Sequence, residues 1–142
     1  AEYSSGKAFL HSHSYTGNPL ACRAALETIA IFNDEPVLVA NRTLSTHLAA
    51  RLEALRDHPH VSDVRQTGMI AAVEMVRNRA TREEFPANER RALRVYLHGL
   101  TRGVILRPLG NVIYFMPPYC VTIDEIDLMV DVAIEGIERA VA

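Results

Sequence analysis

The stretch Gly103-Val104-Ile105-Leu106-Arg107-Pro108-Leu109-Gly110-Asn111-Val112-Ile113-Tyr114-Phe115-Met116-Pro117-Pro118-Tyr119 decides the fold. Two apolar runs, 104–107 and 112–116, flank a Pro-Leu-Gly-Asn turn, which is the pattern of a β-hairpin with Arg107 ending its first strand. Pro117-Pro118 has no N–H to offer a ladder and closes the second. Upstream, Leu93, Leu97 and Leu100 recur at helical spacing and predict the buried stripe of a helix, with Gly103 at its C-terminal end. Downstream, Thr122-Ile123-Asp124-Glu125 reads as a capping box. It opens a helix carrying Ile126, Val130, Ala133, Ile137 and Val141 on one face.

Further out, Val61 to Val76 is β-like around Gly68 and predicts two strands meeting at a turn. Leu44, Leu48, Leu52 and Leu55 predict a helix that starts near Asp34 and Pro36 and ends at Asp57-His58-Pro59-His60, a solvated helix end. Asn18-Pro19 marks the start of another helix, bearing Leu20, Ala24 and Ile31 and stopping near Asn33-Asp34. Asn78 to Asn88 is a polar excursion, read as a loop. The order helix, helix, strands, helix, strands, helix predicts an α+β layer, with helices over one face of a small sheet.

The chain has 142 residues, 49% hydrophobic and 23% charged, with net charge −2. That length suits one domain. Cys22 and Cys120 cannot staple it as a disulfide scaffold and read as small core residues. A pI near 6.3 with mixed signs gives no basic field for nucleic acid. No apolar run approaches the roughly 18 residues of a membrane span, and the N-terminus lacks a signal-peptide core. Opening on Ala1 without Met predicts a piece of something longer. Of 15 basic residues only Lys7 is lysine.

Three places invite chemistry. The turn from His11 to Gly17 sets hydroxyls and imidazoles before a helix N-terminus, where Ser14 and Thr16 could each bond a phosphate oxygen. On local pattern alone the same turn reads more readily as an ordinary cap, and its histidine pair alone defines no metal site. Arg107 is either a bidentate clamp for a carboxylate or phosphate, or a surface arginine whose stem covers the sheet edge. Lys7 lies in a polar segment with nothing to depress its amine pKa, and reads as solvated. Asp63 and Glu74 show no partner that would mark an acid/base pair.

The segment His11-Ser12-His13-Ser14-Tyr15-Thr16-Gly17-Asn18-Pro19-Leu20-Ala21-Cys22 resembles a hallmark of the class III, pyridoxal-phosphate-dependent aminotransferases. The Arg107 to Tyr119 string narrows the likeness to the branch of diaminopelargonate synthases in biotin biosynthesis. The resemblance covers essentially the whole chain. It implies an α+β segment of an α/β fold-type I transferase, with 1–33 ending the large domain and 34–142 forming the small C-terminal domain. It implies that His13 and Ser14 bind pyridoxal 5'-phosphate, Ser14 at the phosphate across a homodimer interface. It implies Ser12, Arg107 and Tyr114 as substrate-binding residues, Arg107 pairing with the substrate carboxylate.

The activity implied is transfer of an amino group from S-adenosylmethionine to 8-amino-7-oxononanoate, giving 7,8-diaminononanoate in the cytoplasm. It involves no metal, nucleic acid or membrane. The family's Schiff-base lysine lies upstream of the first motif, so no catalytic residue is assigned here and the chain alone is expected to be inactive. Two alternatives stand beside this reading: another class III aminotransferase acting on an ω-amino acid or diamine, and a non-catalytic dimerisation fragment.

Overall fold

The computed structural model describes residues 5–6, 13–14 and 16–142. The chain divides into two compact units, Ala1–Val37 and Leu38–Ala142. In the first unit, helix α1 spans Pro19–Asp34. Asn18 caps it, its Oδ1 accepting from the N–H groups of Leu20 at 3.0 Å and Ala21 at 3.2 Å. Pro19 supplies the first helical residue, where a missing donor costs nothing. The helix stops because Glu35 precedes Pro36, and proline's ring disfavours the α region for the residue before it. Glu35 is accordingly extended, at φ −117° and ψ 144°.

The sequence places Leu20, Ala24, Ile31 and Cys22 on a helix with an apolar face, but no residue of α1 is buried. Leu20 is 81% exposed, and Cys22 is exposed rather than a core residue. Nothing among the described residues of the unit supplies an apolar surface for that face.

The second unit is built on an antiparallel sheet. Strands β1 (Val61–Thr67), β2 (Ile70–Asn78), β3 (Glu83–Glu84), β4 (Arg107–Leu109) and β5 (Val112–Phe115) run in the order β1-β2-β5-β4, with β3 added to β2. Helices α2 (Val37–Leu52), α3 (Arg91–Thr101) and α4 (Ile123–Val141) complete the chain. Strand side chains alternate between faces. Ala71, Val73 and Met75 of β2 and Ile113 and Phe115 of β5 are buried, in one core with Leu48 and Leu52 of α2 and Ile126, Val130 and Ile137 of α4.

Helix α3 corrects the sequence reading. Leu97 and Leu100 are exposed, and Ala92, Val95 and Gly99 form the buried stripe instead. The reason is close approach. A Cβ on Gly99 would lie 2.7 Å from the Val104 carbonyl oxygen, and one on Gly136 of α4 would lie 2.8 Å from Val95 Cγ1. Gly99 thus lets the chain fold back closely on α3 at Val104, and Gly136 lets α4 close on Val95, so this face and not that of Leu97 and Leu100 is buried.

Two other expectations change. The segment 78–88 is no free loop: β3 pairs with β2, and Phe85 is buried in the core. Arg91 Cζ stacks 5.0 Å from the Phe85 ring centroid. His58 and His60 are not a solvated helix end. His58 Nε2 meets Glu138 Oε1 at 3.1 Å, and the part-buried His60 reaches the Val76 carbonyl through Nδ1. Asp63 and Glu74 each meet Arg65, at 2.8 and 3.3 Å, as ion pairs and not as an acid/base pair.

Helix α4 is fixed at its N-terminus by the capping box. Thr122 Oγ1 accepts from the Glu125 N–H at 3.2 Å, and Glu125 Oε2 accepts from the Thr122 N–H at 2.7 Å. Along its length its acids meet bases of α2: His47 reaches Asp127 at 2.6 Å, and Arg51 pairs with Asp127 and Asp131.

Two outcomes follow. Replacing Gly99 by Ala should cost about 1–3 kcal/mol from overpacking against backbone that cannot yield, measured by denaturant unfolding. Thr122→Ala should cost about 1 kcal/mol. The Thr122 N–H and hydroxyl hold the Glu125 carboxyl below its ordinary value, so the folded state favours its ionised form. The stability that shift contributes is therefore present at neutral pH and lost as pH falls through the depressed pKa. The gap between Thr122→Ala and the parent should narrow in unfolding curves taken at acid pH.

Candidate functional site

The chain leaves α3 through a Schellman turn. Gly103 takes φ +75°, a region open to glycine at no steric cost. The N–H of Val104 donates to the Gly99 carbonyl at 2.9 Å, and that of Gly103 to Leu100 at 3.3 Å. From there the chain is extended and alternates. Val104 and Leu106 are buried, whereas Ile105 and Arg107 face out. Arg107 does not end a strand. It begins β4, because Pro108 is admitted to this edge strand opposite Ile113 and the turn is drawn tight at Gly110 and Asn111. Asn111 fixes that turn: its Nδ2 donates to the Phe85 carbonyl at 2.9 Å, and its own carbonyl accepts from the Met75 N–H.

Register then builds one row across the sheet. Arg107 pairs with Tyr114, Tyr114 with Ala72, and Ala72 with Arg65. Directly opposed residues share a face, so both arginines lie on the side away from the core. Arg65 is engaged by Asp63 and Glu74, and its guanidinium pKa is raised chiefly by the hydrogen bond to Asp63. Arg107 pairs with no carboxylate among the described residues. Its Cζ lies 5.8 Å from the Tyr114 ring centroid, a cation–π contact that orients the guanidinium without neutralising it.

Arg107 and Tyr114 line a cavity of about 550 Å3, with Ile105, Met116, Leu128 and Met129 among its apolar walls. Glu125 and Cys120 also border it. Glu125's carboxylate accepts from the N–H and hydroxyl of Thr122. Cys120 is exposed there, not a core residue. An apolar cleft with one uncommitted guanidinium suits an aliphatic carboxylate. Sequence reasoning found Arg107 and Tyr114 and missed Ile105, Met116, Cys120 and Glu125. The alternation of Ile105 with Leu106 was the signal for the first of these.

The other candidates lie in the first unit. His13 and Ser14 are exposed in a turn ahead of α1. The His13 N–H donates to Thr16 Oγ1 at 2.8 Å, and the Thr16 N–H to the His13 carbonyl at 3.0 Å. Asn18 takes up the N–H groups of Leu20 and Ala21, so hydroxyls rather than helix amides are what this turn offers an anion. That donor set fits one edge of a phosphate. Ser12 and Lys7 lie outside the described residues. No three His, Cys, Asp or Glu side chains among the described residues gather as a metal site, and no described helix is long and apolar enough to cross a membrane.

Residues 2–140 match the aminotransferase class III family. The chain belongs to the class III aminotransferases. Its relatives include the adenosylmethionine-8-amino-7-oxononanoate aminotransferase of Geobacter sulfurreducens, 46% identical over 99% of this chain and 30% of that protein. The Methanocaldococcus jannaschii enzyme of the same name superposes at TM-score 0.87, with 35% identity over 98% of this chain and 32% of the solved one. An omega-transaminase from Thermomicrobium roseum superposes at 0.86, with 26% identity over 99% of this chain and 31% of its own. A PMP-bound aminotransferase from Vibrio fluvialis gives 0.85 at 26% identity, over 96% of this chain and 30% of its own. This class III chain thus spans about three tenths of the length of the relatives it matches, and its α+β unit is a segment of their fold.

Proposed function

We propose that the whole protein transfers an amino group from S-adenosylmethionine to 8-amino-7-oxononanoate, as a pyridoxal-phosphate-dependent homodimer of the cytoplasm. The observation that carries this is Arg107, uncommitted at the edge of an apolar cleft. A long aliphatic oxo acid needs one cationic anchor for its distant carboxylate and apolar wall for its methylenes. The names of the relatives support the same substrates.

What pyridoxal phosphate supplies when bound is an electron sink and a carrier for the amino group. The chain's own residues bind and orient. Arg107 holds the substrate carboxylate by a charge-assisted fork and sets the register of the chain that follows. Tyr114 holds the guanidinium in place from the next strand and narrows the cleft. Ser14 donates its hydroxyl to the cofactor phosphate of the neighbouring subunit, His13 borders it in the same turn, and Ser12 lines the substrate side. Proton transfer belongs to a lysine outside residues 1–142. In this reading 1–33 close the large domain and 34–142 form the small one.

A second class III reading, with an ω-amino acid or diamine as donor, draws support from the omega-transaminase likeness. A donor screen separates the two, with dependence on S-adenosylmethionine deciding for the first.

Arg107→Ala in the whole protein should lower kcat/KM for the oxo acid about 10- to 100-fold, the loss of a charged hydrogen-bonded pair. The adenosylmethionine half-reaction should change less; equal losses in stopped-flow traces of both halves would sink the assignment. Ser14→Ala should weaken cofactor retention about 3- to 10-fold, one hydrogen bond's worth, measured by equilibrium dialysis. Unchanged retention would make Ser14 a plain turn residue.

A further inference from the structure

Arg107 and Tyr114 stand opposite each other on the outward face of the sheet. The same antiparallel register, carried two residues along each chain, sets Ile105 beside Met116 on that face, because side chains alternate. Between the two rows come Leu106 and Phe115, both turned into the core with no exposed surface, which fixes the alternation on both chains. Ile105 is 65% and Met116 63% exposed, and both line the Arg107 cavity. The apolar row therefore lies roughly 7 Å along the sheet from the row of the guanidinium.

The other flank of Arg107 differs. Leu109 pairs with Val112, Val112 with Glu74, and Glu74 with Asp63, so that row ends in two carboxylates. Leu109 is 71% exposed yet does not border the cavity. The face thus has a direction, and only one flank of the cation shares its cleft. Single exposed apolar side chains are ordinary, but these two sit in one cavity with an uncommitted guanidinium. Met116 is unbranched and pliable, and so can follow an aliphatic chain.

We propose that Ile105 and Met116 set the chain length of the acid that Arg107 holds. Methylenes beyond the carboxylate lie over this pair, and an acid too short to cross from one row to the next forgoes its contribution. The proposal rests on the reading of Arg107 as a carboxylate anchor, and narrows its ligand to straight-chain acids long enough to reach the second row. Each methylene taken from water onto an apolar wall contributes up to roughly fourfold in affinity.

The test is calorimetric titration of the protein expressed from its complete reading frame with straight-chain carboxylates from acetate to nonanoate. In the parent, affinity should climb by up to roughly fourfold per methylene once the chain spans the gap between rows. Combining Ile105→Ala with Met116→Ala should flatten that climb and weaken nonanoate about tenfold, with acetate unchanged. Should that pair fail to fold, Met116→Gln alone, which keeps length and loses apolarity, serves the same comparison. Leu97→Ala trims an exposed leucine outside the cavity and should keep the parent's climb. No climb in the parent, or an unchanged climb in the cavity variants, would overturn the proposal. Arg107→Ala separates the two readings, since it should weaken acetate and nonanoate alike. If it weakens neither, the carboxylate anchor fails, and this proposal with it.

Discussion

Leu106 has no exposed surface, and successive side chains on an extended chain point to opposite sides. Its burial therefore obliges Ile105 and Arg107 to face outward. The Schellman turn at Gly103 sets where that extended run begins, and the near-contact of Gly99 with the Val104 carbonyl sets how tightly it hugs α3. From Arg107 onward the antiparallel register does the rest, carrying the guanidinium to Tyr114 and across β2 to Arg65. A polar group is placed here by an apolar one. The cleft inherits its geometry from the core, which is why a guanidinium on a three-residue edge strand can be held in a defined direction.

The two arginines of that row show how neighbours decide what a charge is available for. Arg65 has two carboxylates within 3.3 Å and is spent on holding β1 to β2. Arg107 has an aromatic face instead, which directs a cation while leaving its hydrogen-bonding fork open. Glu125 borders the same cavity, and its carboxylate accepts from Thr122 in the capping box.

Much of this was readable in the chain. Asn18-Pro19, Gly68, Gly103 and the Thr122 to Glu125 box mark turns and caps by local chemistry, and the structure uses each where it stands. Ser14 and Arg107 were picked out because motif and local chemistry agreed on them. What was not readable depends on contacts distant in sequence. The predicted α3 stripe differs because leucines usually mark the core, whereas here Ala92, Val95 and Gly99 do, with Val95 packed against Gly136 of α4, a contact that no short window of sequence contains. Phe85 hid as one aromatic in a polar run. The cysteines were assigned to the core by residue type, and Cys120 instead faces the cleft because Pro117-Pro118 turns the chain outward.

Helix α1 has a further consequence. No residue of the helix is buried, and its local support includes the Asn18 cap and the Arg23–Glu27 pair. At 16 residues it sits near the length of about 12–15 at which an isolated helix is only marginal in water. Its apolar residues, Leu20, Leu26, Ile29 and Ile31, are exposed, and a helix of this length gains most of its stability when such a face is packed.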